Sequence, residues 1–270
     1  MAQNFLEIVG VTDVGRVRQF NEDTIAIDAE SGVVLVADGM GGHRAGEVAS
    51  RMASEMIMAD LKARSAEFGA SARKNGPALV ADQCIKRANR AVFAASQTQT
   101  SYHGMGTTLA LAIFHDNKVV LGHIGDSRIY RLRASALQLL TRDDSMLRDQ
   151  VDLGFISAAD AVESHNRSLV TRALGTAENV KAHLREERAM PGDMFVLCSD
   201  GLTDLVEERD IELILNALRT NLPLAASHLV QSAKDNGGYD NVSAIVVKVL
   251  EPFPAGRRSR FLAWLAGLFR

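Results

Sequence analysis

The sequence predicts one α+β domain in which antiparallel sheets are covered by helices. Eight short runs rich in valine and isoleucine, bounded by turn-forming residues, read as strands. Two long stretches carry apolar residues at helical spacing. Strands and helices do not alternate one-to-one, which disfavours a doubly wound parallel sheet. Consecutive strands joined by short turns favour antiparallel pairing instead. At 270 residues the chain can bury one full core. The domain is expected over residues 1–250, with a compositionally different tail over 251–270.

The elements follow in chain order. Strands are expected over residues 5–12 (FLEIVGVT), 24–29 (TIAIDA) and 32–38 (GVVLVAD). A helix over 46–63 places Ala49, Met52, Ala53, Met56, Ile57 and Leu61 on one face, where the methionines serve as core packing. A second helix, opened by Pro77, runs over 78–97 with Ala81, Cys84, Ile85, Ala88 and Val92 on its apolar face. Strands resume over 107–114, 118–126 and 128–132. Two short helices are expected over 145–153, ended by Gly154, and over 157–163, where Ser157 and Asp160 form a capping box. A strand over 194–200, helices over 208–218 and 224–234, and a strand over 243–250 complete the domain.

Composition excludes several classes of function. Hydrophobic residues make up 47% and charged residues 23%, ordinary for a soluble globular chain. A formal net charge of −3 gives no reason to expect nucleic-acid binding. Cys84 and Cys198 are far apart and in no metal-like spacing, which suits a reducing cytoplasm. The opening MAQNFLEIVG lacks the basic start and apolar run of a signal peptide. No apolar stretch reaches the ~20 residues needed to cross a bilayer. A cytoplasmic monomer is the expectation.

The chemistry is concentrated where strands end. VLVADG ends in Asp38, LGHIGDS in Asp126 and FVLCSDG in Asp200, while Asp240 directly precedes the last strand. A single strand-end aspartate is usually a turn former. Four of them, three beside a glycine, are expected to gather at one sheet edge, where they repel unless a cation neutralises them. The Gly-rich turn after Asp38 lacks the Lys-Ser/Thr pair of a nucleotide phosphate loop. All candidate ligands are oxygens, so Mg²⁺ or Mn²⁺ is favoured over zinc. Two such ions about 4 Å apart activate a water and aim it at phosphorus. Arg16 and Arg18, followed by Glu22 and Asp23, offer a cation for phosphate oxygens.

These motifs together resemble one family. Thr12-Asp13-x-Gly15-x-x-Arg18-x-x-Asn21-Glu22-Asp23, Asp38-Gly39-Met40-Gly41-Gly42-His43, Gly104-Met105-Gly106-Thr107-Thr108, Gly125-Asp126-Ser127-Arg128, Ser199-Asp200-Gly201 and Asp240-Asn241 are similar, in order and spacing, to the metal-dependent Ser/Thr protein phosphatases of type 2C, bacterial type. The resemblance covers residues 12–250 and implies a four-layer α-β-β-α sandwich. It also implies two core Mn²⁺ or Mg²⁺ ions bridged by Asp38, with Gly39 offering its carbonyl. Asp200 and Asp240 complete the first ion, and Glu22 and Asp23 lie near the second, partly through water. Arg18 matches the phosphate-binding arginine. Asp126 matches the ligand of a third, weaker ion in many bacterial members, with Asp200 and Asp204 nearby. Residues 143–175 match a flap that borders the site. The implied partners are phosphorylated proteins, including a Ser/Thr kinase or its substrates.

Two departures from the pattern stand out. Met40 occupies the place where many members carry a histidine proposed as general acid, which leaves His43 as the catalytic candidate three positions on. Asp144 also stands where members often carry histidine. A catalytically silent phosphoprotein-binding module and a two-metal phosphodiesterase are the alternative readings. The tail lies outside the resemblance. Arg257, Arg258 and Arg260 precede Phe261, Leu262, Trp264, Leu265, Leu268 and Phe269 at helical spacing, which suits weak contact with an anionic membrane or a partner groove.

Overall fold

The computed structural model describes residues 5–42, 44–68, 76–157 and 169–253. Within it, eleven strands form two antiparallel sheets, and alternation along each strand shows how they stack. In β3 (Val33–Met40), Val34 and Val36 face the other sheet, while Val33, Leu35 and Ala37 face helices α1 (Ala45–Ala63) and α2 (Gly76–Thr98). In β11 (Val242–Val249), Ile245, Val247 and Val249 point inward, while Val242, Ala244 and Val246 meet α5 (Glu208–Ala217) and α6 (Leu222–Asp235). Burial on both faces explains why these strands read as continuous apolar runs although their pairing is antiparallel. Edge-on packing of Phe114 against Phe195, with ring centroids 5.4 Å apart, joins the two sheets.

The first sheet runs β1 (Leu6–Asp13), β11, β10 (Met194–Cys198), β7 (Arg128–Arg133), β8 (Ala136–Leu139). The second runs β2 (Asp23–Asp28), β3, β5 (Leu109–His115), β6 (Lys118–Ile124), β9 (His183–Arg188), and the two-residue β4 (Gly106–Thr107) pairs with the end of β3. The four layers are therefore helices, six-stranded sheet, five-stranded sheet, helices, as the resemblance implies.

Differences from the expected elements have local causes. β3 continues past Asp38 because Gly39 and Met40 pair with Thr107 and Gly106. β9 reads HLREER, with no apolar face, because it is an edge strand and charge protects an edge. A short α4 (Asp200–Thr203) is a single turn, too brief for any periodicity to show. α3 (Met146–Asp152) starts as expected, with the Ser145 hydroxyl accepting from the Arg148 N–H at 3.3 Å. Most of the second flap helix, expected over 157–163, lies outside the described residues, as do His43 and the tail from residue 254.

The topology decides where the chemistry sits. β3, β6 and β10 lead toward one edge of the sandwich and β11 leaves from it. Asp38, Asp126, Asp200 and Asp240 therefore arrive at that edge.

Candidate metal centre

The edge is built by pairing across strands. Asp23 and Asp38 are direct neighbours in the β2–β3 register. Asp23 Oδ2 accepts from the Ser199 hydroxyl at 2.8 Å, and Ser199 Oγ in turn accepts from the Ser243 N–H at 3.0 Å. That chain ties the two sheets together beneath the carboxylates. Asp38 is clamped through its backbone. Its N–H donates to Thr108 Oγ1 at 2.9 Å, and its carbonyl accepts from the Thr108 N–H at 2.8 Å and the Thr107 hydroxyl at 2.9 Å. Thr108 Oγ1 lies 2.6 Å from Ser127 Oγ, so the turn bearing Asp126 is bonded to the same strand.

Asn241 organises the loop before β2. Its Oδ1 accepts from the Glu22 N–H at 2.7 Å, while its Nδ2 donates to the carbonyls of Val14 at 3.0 Å and Phe20 at 2.9 Å. Arg18 lies on that loop, at the rim, with Nη2 donating to Asp240 Oδ2 at 2.7 Å. Gly39 is required by close approach, since a Cβ there would collide with the carbonyl of Gly46. A Cβ on Gly46 would sit 2.6 Å from Glu22 Oε1.

Electrostatics makes this edge a candidate cation site. Asp23 and Asp126 are buried, and Asp38 and Asp200 are withdrawn from water by surrounding protein. Burial, reinforced by Asp200 and Asp240, pushes the Asp23 carboxyl up to about 7. Burial, then Asp200 and Asp143, pushes Asp126 to about 8. Asp200 rises to about 6, chiefly by burial, and Asp38 rises well above the carboxylate range by burial and the charges of Asp23 and Asp200. Glu22 is raised too, chiefly by burial. Three oxygens at this edge, Glu22 Oε1, Asp23 Oδ1 and Asp200 Oδ1, are buried without a hydrogen-bond partner. Orphaned buried acceptors that repel one another are the donor set a hard divalent cation satisfies. Among the described residues no three His, Cys, Asp or Glu side chains converge closely enough to hold an ion unaided. Mg²⁺ and Mn²⁺ fit such an open site because they retain water ligands.

Arg18, Glu22, Asp23, Asp38, Gly39, Asp126, Asp200 and Asp240 lie along this edge, whereas Arg16, also offered as a cation for phosphate, is engaged by Asp235 at 2.8 Å on α6. Asp126 also borders a groove of about 500 Å³ whose wall includes Arg148 and Val151 of α3 and Leu205 after α4. Sequence reading passed over Asn241, Ser199, Thr108 and Ser243 as site-builders. All four are buried polar residues inside or beside the motifs, and that burial is a signal only the fold supplies.

Comparison with known proteins shows the family and the fold. Residues 15–233 match the family model described as protein phosphatase 2C. The serine/threonine phosphatase stp of Listeria monocytogenes is 35% identical over 240 residues, spanning 88% of this chain and 93% of that protein. The serine/threonine protein phosphatase PstP of Mycobacterium tuberculosis is 38% identical over 243 residues, spanning 89% of this chain and 44% of that protein. Its crystal structure superposes with a TM-score of 0.82 at 34% identity, covering 92% of this chain and 100% of that one. The PstP catalytic domain in complex with two manganese ions superposes with a TM-score of 0.78 at 34% identity, covering 92% of this chain and 99% of that one. With residues 15–233 matching the family model, and sequence and fold alike matching these proteins over about nine-tenths of its length, the chain belongs to the protein phosphatase 2C family.

Proposed function

We propose that the chain is a protein serine/threonine phosphatase that hydrolyses phosphoserine and phosphothreonine with Mn²⁺ or Mg²⁺ held at the carboxylate edge. The orphaned, buried oxygens of Glu22, Asp23 and Asp200 carry this reading most directly. Asp38 is the proposed bridging ligand, with the Gly39 carbonyl beside it. Asp200 and Asp240 would complete one core site, Glu22 and Asp23 would serve the other, and Asp126 would hold a third, weaker ion. When bound, paired ions of this kind supply an activated water and neutralise charge on the phosphoryl group.

The chain's own groups do the rest. Arg18 is stationed at the rim by Asp240, with a planar fork suited to two phosphate oxygens. His43, outside the described residues, is the proposed proton donor to the leaving serine or threonine oxygen, because Met40 has no proton to give. Phosphorylated proteins, including a Ser/Thr kinase or its targets, are the proposed partners of a monomeric enzyme.

A substrate panel tests the whole reading. Phosphoserine, phosphothreonine and phosphotyrosine peptides and a phosphodiester should be offered to wild type and Arg18→Ala, with Mn²⁺ and with excess chelator. The expected result is Mn²⁺-dependent turnover of the first two, with KM raised about tenfold or more in Arg18→Ala, and kcat lowered if the contact tightens in the transition state. Undiminished turnover in chelator, or preference for the diester, would overturn it. Binding without turnover of any substrate would favour the silent module.

The tail adds a location. Among the described residues no helix is long and apolar enough to cross a membrane. β11 begins beside the metal edge and ends at the opposite one, where Phe253 packs against Phe114 and donates its N–H to Asn117 Oδ1 at 2.7 Å. A tail leaving from there and resting on an anionic surface would turn the carboxylate edge toward the cytoplasm. Deleting residues 257–270 should abolish co-sedimentation with anionic vesicles at low salt while sparing activity on a small phosphate ester. Full-length protein that ignores the vesicles, with a truncated form melting several degrees lower, would show the tail to be part of the core.

A further inference from the structure

Asp144 is none of the proposed ligands, yet it is a buried carboxylate with five tethers. Its Oδ2 accepts from the Gly125 N–H at 3.1 Å. Its Oδ1 accepts from Arg172 Nη1 at 2.9 Å and lies 3.0 Å from His183 Nε2 on β9. Its backbone N–H donates to the Gly125 carbonyl at 2.7 Å, and its carbonyl accepts from the Thr171 N–H at 2.7 Å. A further bond, from the Met146 N–H to the Leu169 carbonyl at 2.9 Å, closes the same seam. One residue thus joins three parts: the turn before Asp126, the two limbs of the segment matching the flap, and the edge strand β9.

The turn makes this consequential. Gly125 holds φ at +97°, and a Cβ there would sit 2.7 Å from Thr108 Cγ2, so its peptide has little freedom. Asp144 grips that residue on both its N–H and its carbonyl, and Asp126 comes next in the chain. The peptide that leads into Asp126 is therefore held by Asp144, beside the Thr108–Ser127 bond on its other side. The charge is what makes the grip strong. A carboxylate accepts from an amide and a guanidinium at once with bonds roughly twice as strong as neutral ones, and Arg172 offsets the cost of burying it.

We propose that Asp144 is a positioning residue that fixes the Asp126 carboxylate and couples it to the flap. A cation at Asp126 and a protein substrate against residues 143–157 and 169–175 are then organised by the same carboxylate. This rests on the reading that Asp126 holds a third, weaker ion.

The test compares Mn²⁺ titration calorimetry of wild type, Asp126→Ala and Asp144→Asn with their kinetics on a phosphopeptide and on a small aryl phosphate. Asp126→Ala should lose the weak site and keep the tight ones. Asp144→Asn should also keep the tight ones and weaken the weak site about tenfold or more. Its kcat on the phosphopeptide should fall by a similar factor, with a smaller change on the aryl phosphate. A relocated pair, Asp144→His with His183→Asp, keeps one carboxylate against Arg172 and an imidazole acceptor for Gly125. It should recover the weak site, and it carries the test if Asp144→Asn does not fold. An unchanged weak site in Asp144→Asn, beside its loss in Asp126→Ala, would overturn the positioning role alone. Retention of the weak site in Asp126→Ala would overturn the reading beneath it.

Discussion

Asp38→Asn should lower kcat on phosphoserine and phosphothreonine peptides by roughly three orders of magnitude or more, about 4 kcal/mol of transition-state stabilisation, and leave the fold intact. Asp38 pairs with Asp23 in the β2–β3 register and feels the charges of Asp23, Asp200 and Asp126. Three neighbouring carboxylates thus act on one residue. Its backbone is held on both sides by Thr107 and Thr108, so the amide enters the same position without disturbing the strand. What disappears is the charge that two neighbouring cations would share. Steady-state kinetics at saturating Mn²⁺, paired with calorimetry of ion binding, measures both consequences. Wild-type turnover in Asp38→Asn would remove the residue from the centre.

Raising the pH should destabilise the metal-free protein between about 6.5 and 8.5, and Mn²⁺ should reverse the loss. The unfolded-state carboxyls titrate near 3.9, whereas those of Asp23 and Asp126 titrate at about 7 and 8 in the folded protein. A raised folded pKa means stability present below the unfolded value and lost as pH climbs through the folded one. Two histidines, His115 and His123, have the opposite sign because burial lowers them. Their contribution is complete above about 6.5, the unfolded value of an imidazole. Asp13 and Asp28 are held low and finish titrating at still more acid pH. Above 6.5 the aspartates at the edge therefore set the trend.

A cation binds their charged form and so stabilises the folded state more at high pH than at low. At a hundredfold excess over Kd the gain is about 2.7 kcal/mol, or about 5–10 °C in Tm for a chain of this size. Scanning calorimetry with chelator and with Mn²⁺, at pH 5.5, 6.5 and 8, decides the matter. A chelated Tm that stays level or rises from 6.5 to 8 would contradict the assignment of these carboxylates as repelling one another. Chelated Asp38→Asn should melt above wild type at pH 8, so the change that removes activity relieves strain.

Local pattern carried much of this protein. The continuous apolar runs VVLVAD and SAIVVKVL reflect strands covered on both faces, and a strand read from its own residues needs no partner to be recognised. The helices over Ala45–Ala63 and Gly76–Thr98 were legible for the same reason, from apolar residues three and four apart. The aspartates beside glycines were legible as chemistry because carboxylates at strand ends gather only where something neutralises them. Other features left no local trace. β9 has no apolar face, since an edge strand is written in charge, and α4 has no period because it is one turn long.

The remaining decisions belong to contacts across the chain. The Asp23–Asp38 pair exists through the β2–β3 register, in which a slip of one residue would turn one carboxylate to the opposite face. Arg18 meets Asp240 across 222 positions, and Asn241 reaches Phe20 across 221. Asp144 stands out in the sequence only as a departure from the family pattern, and becomes the tie between turn, flap and edge strand once β6 and β9 are paired. Residue type and spacing settled which groups exist and what they are able to do. Their distances, their burial and hence their pKa values come from the stacking of two sheets, because proximity between residues far apart in the chain is paid for by the packing of the whole core.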